Sequence, residues 1–221
     1  MVSGDHPTNH EIAPDPDASR GKVRNQYNRF ARFYDLVEGP QMFLLGVSRL
    51  RRQFLKRARG RVLEIAIGTG ASLGGYRKDA KLTGIDFSEE MLKRARKRAK
   101  RLGREIDLLE MDAESLKLPD NSFDTVVSSL SLCTIPNPII ALQEMARVCR
   151  EDGRILLFEH GISNRGWLAG WLDRHSESHA QGFGCHWNRD HLSLVREAGL
   201  TVHSSERRLL GVIYAIEAGA Q

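Results

Sequence analysis

With 221 residues, 41 % of them hydrophobic and 28 % charged, the chain can fill one α/β domain but not two. No apolar run approaches the ~20 residues a membrane-spanning helix needs, and three widely spaced cysteines (Cys133, Cys149, Cys185) do not make a disulfide framework. A reduced, cytoplasmic setting is expected, and the net charge of +5 is concentrated in two segments, Arg49 to Arg61 and Lys93 to Arg104.

Residues 1–21, with acids, prolines and histidines and no apolar core, are read as a disordered tail that resembles neither a signal nor a transit peptide. Residues 22–59 are expected to form a helical cap, with one helix over Val23 to Phe33. A second runs over about Pro40 to Arg59, where Phe43, Leu44, Val47, Leu50, Phe54 and Leu55 recur at helical spacing. The domain proper is placed at 60–221. Its first strand is expected over Arg61 to Ile67, then a helix from Ala71 to Tyr76 directly after the glycines, then a second strand ending at Asp86. Ser88 is suited to cap the next helix, with Glu89 and Glu90 in its first turn, and Gly103 to close it. Met91, Leu92, Ala95, Ala99 and Leu102 give that helix a buried stripe, so its basic residues are read as a solvated face.

Further strands are expected over Ile106 to Glu110, Phe123 to Ser129 and Arg154 to Glu159, with a helix over Pro138 to Arg150. A last helix, about Asn188 to Ala198, is assigned Asn188 as its cap. Two strands, roughly Thr201 to Arg207 and Leu210 to Ala218, finish the chain. The alternation predicts a doubly wound, mostly parallel seven-stranded sheet with a final antiparallel strand.

The informative residues stand where strands end. Val62-Leu63-Glu64-Ile65-Ala66-Ile67-Gly68-Thr69-Gly70 takes an apolar strand into a glycine turn, and Leu82-Thr83-Gly84-Ile85-Asp86 ends a second strand in a carboxylate. An open α/β sheet builds a nucleoside pocket at such carboxyl ends. Gly68 and Gly70 allow a sharp turn and close approach, and Asp86 is placed to accept hydrogen bonds from two ribose hydroxyls. Leu73 stands where the third glycine of a dinucleotide fingerprint belongs, which disfavours a nicotinamide dehydrogenase.

Glu64 before the glycines, Asp86, and the step Glu110-Met111-Asp112-Ala113 resemble motifs I, II and III of the class I S-adenosylmethionine (AdoMet) methyltransferases. The resemblance spans about Tyr27 to Ala218. It implies a Rossmann-like methyltransferase fold, AdoMet as cofactor, and roles by motif position. Glu64, Ala66, Gly68 and Gly70 would lie along the methionine moiety, and Asp86 on the ribose. Phe87 and Met91 would lie against the adenine, Asp112 and Ala113 at its amino group, and Ser129 and Leu130 facing the methyl donor. Ala66 replaces a glycine usual in the family and is expected to fit with a negative φ; a turn-capping role for Asp112 stays open.

Tyr34-Asp35-Leu36 looks like the tyrosine segment of the quinone-biosynthesis and bacterial phosphatidylethanolamine N-methyltransferases, which adds Tyr34 to the cofactor and catalytic residues, and Tyr27 after it. Leu132-Cys133-Thr134-Ile135, Phe158-Glu159-His160-Gly161 and Gly184-Cys185 resemble the alkyl-thiol methyltransferases. The quinone enzymes' Phe-Gly-x-Arg-Asn segment is missing, which counts against a ring-carbon acceptor. The Asn/Asp-Pro-Pro-Tyr/Phe motif of nucleic-acid amino methyltransferases is missing too, so no nucleic-acid partner is expected.

The acceptor is therefore read as a thiol sulfur or amine nitrogen of a small molecule or lipid, with quinone methylation or non-catalytic AdoMet binding as alternatives. His160, with an ordinary pKa near 6.5, is the candidate base; a role in holding Glu159 or the lid is the other reading. A lid-like insertion at about 161–187 supplies Trp167, Trp171, Cys185, His186 and Trp187 as candidate acceptor contacts. His175 and His179 lie one helical turn apart, but their spacing to Cys185-His186 fits no zinc module, and methyl transfer needs no metal, so none is expected. Phe43, Leu44 and Leu45 beside Arg49, Arg51 and Arg52 would suit peripheral membrane contact or a packed cap.

Overall fold

A computed structural model describes residues 46–219. The expected helix at Val23, the tyrosines Tyr27 and Tyr34, and the apolar run Phe43 to Leu45 lie outside the described residues.

Seven strands form one sheet in the order β3-β2-β1-β4-β5-β7-β6. They are β1 (Arg61–Ile65), β2 (Lys81–Asp86), β3 (Ile106–Glu110), β4 (Phe123–Ser129), β5 (Cys149–His160), β6 (Thr201–Arg208) and β7 (Ile213–Gly219). β1 to β5 pair in parallel, and β7 runs antiparallel between β5 and β6. The helices are α1 (Val47–Leu55), α2 (Glu89–Leu102), α3 (Pro138–Val148), α4 (Gly166–Phe183) and α5 (His191–Glu197).

Each face of the sheet buries its own core. On one, Leu63, Ile65, Val126, Ile155, Leu157 and Tyr214 pack beneath α3 and α5; on the other, Val62, Val127, Leu156 and Phe158 meet Phe54, Leu55 and Leu92 of α1 and α2. Successive residues of β1 and of β5 are buried on opposite faces, as a central parallel strand requires. The carboxyl ends of β1, β2, β4 and β5 consequently open on one edge.

Several expectations are corrected. The helix expected directly after the glycines is only a 3₁₀ turn, Leu73–Gly75. Gly74 and Gly75 are poor helix formers, and Ser72 turns its hydroxyl inward to Glu64 instead of capping. No helix terminus therefore follows the glycine turn. β1 ends two residues early because Ala66 takes φ +46°, although Ile67 N–H still donates to Ile85 C=O (2.8 Å). The helix before β5 stops at Val148, because Cys149 is already extended and pairs with Phe123. Asn188 does not cap the last helix: Asp190 does, accepting from Leu192 N–H (3.1 Å), while Asn188 accepts from Ser176 and donates to Asp173 in α4. The lid insertion is largely helical, as the 18 residues of α4. Ser88 and Gly103 bound α2 as expected, Ser88 Oγ accepting from Met91 N–H (3.2 Å) and Gly103 adopting φ +61°.

Candidate active site

The glycine turn is built from left-handed residues. Gly68 (φ +57°) and Gly70 (φ +74°) follow Ala66, so the expected negative φ at Ala66 is overturned. A Cβ on Gly70 would lie 2.8 Å from Leu73 Cδ1, whereas one on Gly68 would meet nothing within 4 Å. Space therefore lies open above Gly68, on the side a ligand would enter. Gly68 N–H donates to Asp86 Oδ2 (2.8 Å), and Ser88 N–H donates to Oδ1 (2.9 Å). The carboxylate at the end of β2 thus fastens the turn after β1 and keeps unused lone pairs for hydroxyl donors. Burial pushes Asp86 up to about 6 against the pull of those two N–H groups.

Glu64, 4 % exposed, accepts from Ser72 Oγ (2.7 Å), and burial raises it to about 7. Arg51 of α1 reaches across to Ala71 C=O (3.1 Å), close enough to oppose that rise. Two acids with near-neutral titration therefore flank one open turn. Such perturbation is common where function holds buried charge.

Phe87 is half-buried, and Met91 is buried on the first turn of α2. Asp112 caps a turn, Oδ1 accepting from Glu114 N–H (2.9 Å), so the local role left open for it is present. Ala113 packs into the core beneath. Glu114, which sequence reasoning missed, is buried and accepts from the backbone N–H and the side-chain amide of Asn137 (2.9 and 3.0 Å). It ties the end of the β3 loop to the start of α3, and no local motif marks it.

At the end of β4, Leu130 turns the chain with φ +57° while its N–H donates to Phe158 C=O (2.8 Å). Ser129 Oγ beside it is buried with no hydrogen-bond partner among the described residues. An orphaned buried hydroxyl is normally satisfied by something. Its position between the glycine turn and the end of β5, with the space over Gly68, fits a polar nucleoside ligand such as AdoMet.

Glu159 is fully buried and accepts from Ser128 Oγ (2.5 Å) and Ser131 N–H (2.9 Å); burial lifts it to about 7. Its neighbour His160 is half-buried, with Nε2 3.2 Å from Cys185 Sγ, and its carbonyl accepts from the buried His191 ring (2.9 Å). Cys133 completes a group with His160 and Cys185. Two contacts hold this wall: His186 N–H donates to Cys133 C=O (3.0 Å), and Arg189 spans Leu132 C=O and Ile135 C=O.

The candidate acceptor residues divide. Cys185 and His186 come to the end of β5, whereas Trp167 (71 % exposed) and Trp171 (47 %) stand on the outer face of α4. Trp171 stacks on His175 and Trp187 (4.6 and 6.0 Å), and His179 lies 3.9 Å from Trp187, so these rings form a ladder along α4. His175 and His179 are engaged by backbone carbonyls of Trp171 and Cys185 (2.7 and 3.0 Å) and do not meet as a pair of ligands.

The comparisons with known proteins come down on one family. Residues 63–157 match a family model described as a methyltransferase domain. The chain belongs to the class I AdoMet-dependent methyltransferases. It is 46 % identical over 112 residues to a phosphatidylethanolamine N-methyltransferase of Cereibacter sphaeroides, covering 50 % of this chain and 55 % of that one. It is 33 % identical over 160 residues to a ubiquinone/menaquinone biosynthesis C-methyltransferase of Bdellovibrio bacteriovorus, covering 69 % and 66 %. The chain thus spans between half and two thirds of the length of these methyltransferases. Among solved structures, a SAM-dependent methyltransferase from Thermotoga maritima superposes with a TM-score of 0.65 at 22 % identity, over 90 % of this chain and all of that one. The seven-stranded sheet with one antiparallel strand is the fold of this methyltransferase family. No helix among the described residues is long and apolar enough to cross a membrane.

Proposed function

We propose that the chain transfers a methyl group from AdoMet to a heteroatom, the amine nitrogen of a phospholipid headgroup. The observation that carries this reading is the 46 % identity to a phosphatidylethanolamine N-methyltransferase over 112 residues. The exposed face of α4 agrees with it. Trp167, Leu168 and Trp171, with Arg174, line an open depression of about 660 Å³ along the first half of α4. Indole rings beside a cation suit the interfacial layer of a membrane.

AdoMet, when bound, supplies a methyl group on a sulfonium sulfur, an electrophile with its leaving group already attached. The chain's residues then have three tasks. Asp86 and Glu64, with the open space over Gly68, would hold the nucleoside and the methionine end. Ser129 and Leu130 shape the edge where donor and acceptor meet in line. His160, next to Glu159 at the end of β5, takes the proton that an ammonium acceptor must lose before its lone pair can attack.

A thiol acceptor is the second reading. The three segments that resemble the alkyl-thiol methyltransferases converge at Cys133, His160 and Cys185, although they are distant in sequence. One assay separates the readings: S-adenosylhomocysteine release measured over phosphatidylethanolamine vesicles, a panel of alkyl and aryl thiols, and demethylated quinones. Turnover on the vesicles supports the lipid reading. Turnover on thiols alone replaces it with the second, and turnover on quinones alone excludes both.

A further inference from the structure

We infer that Cys133, His160 and Cys185 form a binding site for a thiophilic divalent cation, of which zinc is the type, at the carboxyl edge of β4 and β5. Sequence spacing gave no reason to expect one. The three residues lie 27 and 25 positions apart, in the loop after β4, at the last residue of β5, and just past the end of α4. Folding nevertheless brings one ligand atom from each within 4.8 Å of the other two, with Cys185 Sγ and His160 Nε2 at 3.2 Å. Four-coordinate zinc, with Zn–S about 2.3 Å and Zn–N about 2.0–2.1 Å, separates its ligand atoms by roughly 3.5–3.8 Å. The Cys185–His160 pair need open by only a few tenths of an ångström, and no pair stands more than about 1 Å beyond the requirement, within reach of side-chain rotation.

The ligand set selects the metal class. Two thiolates and an imidazole favour zinc and its soft neighbours over calcium or magnesium, which take oxygen. Three protein ligands leave one coordination position for water or for a heteroatom of the acceptor. Binding releases the two thiol protons as the sulfurs become thiolates, so that the cation and its ligands are together neutral.

The supporting contacts are in place without the metal. His186 N–H holds the carbonyl of Cys133, His179 Nδ1 donates to the carbonyl of Cys185, and the His160 carbonyl receives the His191 ring. Backbone hydrogen bonds thus fix all three ligand-bearing segments, leaving the side chains to converge. A bound cation pins α4 to the end of the sheet and closes the acceptor wall. With Nε2 on the metal and a proton on Nδ1, His160 no longer serves as the proton acceptor, so in the metal-loaded chain the open coordination position takes over activation of the acceptor; the inference depends on neither acceptor reading.

The test is metal content. The full chain, purified under reducing conditions, is loaded with excess zinc, desalted and analysed by plasma mass spectrometry. About one zinc per chain is expected for the parent and for His175→Ala, and roughly tenfold less for Cys185→Ser and His160→Ala. Cobalt loading should give the thiolate-to-metal charge-transfer and intense visible bands of a four-coordinate site, lost in Cys185→Ser. Circular dichroism checks that each variant is folded; Cys185 is half-buried, so its serine variant decides the matter if the buried Cys133→Ser does not fold. Negligible zinc in the parent overturns the inference, as does equal retention by Cys185→Ser. A Cys133–Cys185 disulfide whose reduction restores no metal uptake overturns it too.

Discussion

Replacing Asp86 by Asn separates binding from stability because its two effects on stability oppose each other while its effect on affinity stands alone. In the ligand-free chain the carboxylate accepts from Gly68 and Ser88 N–H groups at 2.8 and 2.9 Å while 4 % exposed. The amide keeps one acceptor oxygen and turns a donor toward the other N–H. Leaving that buried N–H unpaired costs about 1–3 kcal/mol. Against this, an acid held at about 6 instead of 3.8 costs roughly 3 kcal/mol when ionised at pH 7, and the amide removes that cost. The terms nearly cancel. At 2–4 °C per kcal/mol for a domain of this size, the thermal midpoint should stay within about 5 °C of the parent. AdoMet affinity has no such compensation. Loss of a charged partner for the ribose hydroxyls removes about 2–3 kcal/mol, a weakening of roughly 30- to 150-fold. The assays are calorimetric titration with AdoMet and differential scanning of the free protein. Unchanged affinity in Asp86→Asn would refute the placement of the ribose, and affinity lost only in step with a large drop in midpoint would reduce Asp86 to a structural role.

Three further outcomes follow from the buried acids, the turn and the exposed face of α4. Glu64 and Glu159 near 7 and Asp86 near 6 keep protons in the folded chain that the unfolded chain releases at 4.5 and 3.8. Their stabilisation is complete below the unfolded values and lost as pH rises through 6 and 7, so the ligand-free midpoint should rise from pH 8 to pH 6. His191, lowered to about 4 by burial, acts oppositely but only below 6.5. A scanning series showing a falling midpoint over that range contradicts this, and Glu159→Gln should flatten the rise. Ala66→Gly relieves a left-handed alanine by about 1 kcal/mol but adds unfolded-state freedom of about 0.5–1 kcal/mol. Denaturant titration should accordingly find it within about 0.5 kcal/mol of the parent with AdoMet binding intact, and a loss above about 1.5 kcal/mol would show that the methyl group packs usefully. Trp167→Ala combined with Trp171→Ala should weaken binding to anionic phosphatidylethanolamine vesicles in a sedimentation assay without changing AdoMet affinity; equal sedimentation of parent and variant removes α4 from the membrane argument.

The legible parts of the fold were those governed by local pattern. β3 and β4 match their expected bounds residue for residue, and β2 ends at Asp86 as read. Apolar runs ending in a turn or an acid leave little freedom there. Ser88 and Gly103 were readable as caps because their chemistry acts within one turn of helix. Helix starts were less so. Asn188 and Asp190 are both good caps, and the choice fell to Ser176 and Asp173 of the preceding helix, which claim Asn188. The turn after Gly70 was misread because its shape depends on Ser72 reaching back to Glu64.

The site follows the same division. Motif spacing places Glu64, Gly68, Gly70 and Asp86 at strand ends, and the structure brings them together around one turn. The acceptor side could not be read this way. Cys133, His160 and Cys185 come from three separate segments, and Glu114 and Arg189 act through backbone groups that no side-chain pattern reveals.

The central claim is that the crevice between the turn at Gly68 and the carboxylate of Asp86 holds AdoMet. Titration of the purified chain with AdoMet and, separately, with NAD tests it most directly. One AdoMet per chain, displaced by S-adenosylhomocysteine, with no heat from NAD, is the predicted result; absence of AdoMet binding, or NAD bound equally well, would contradict it.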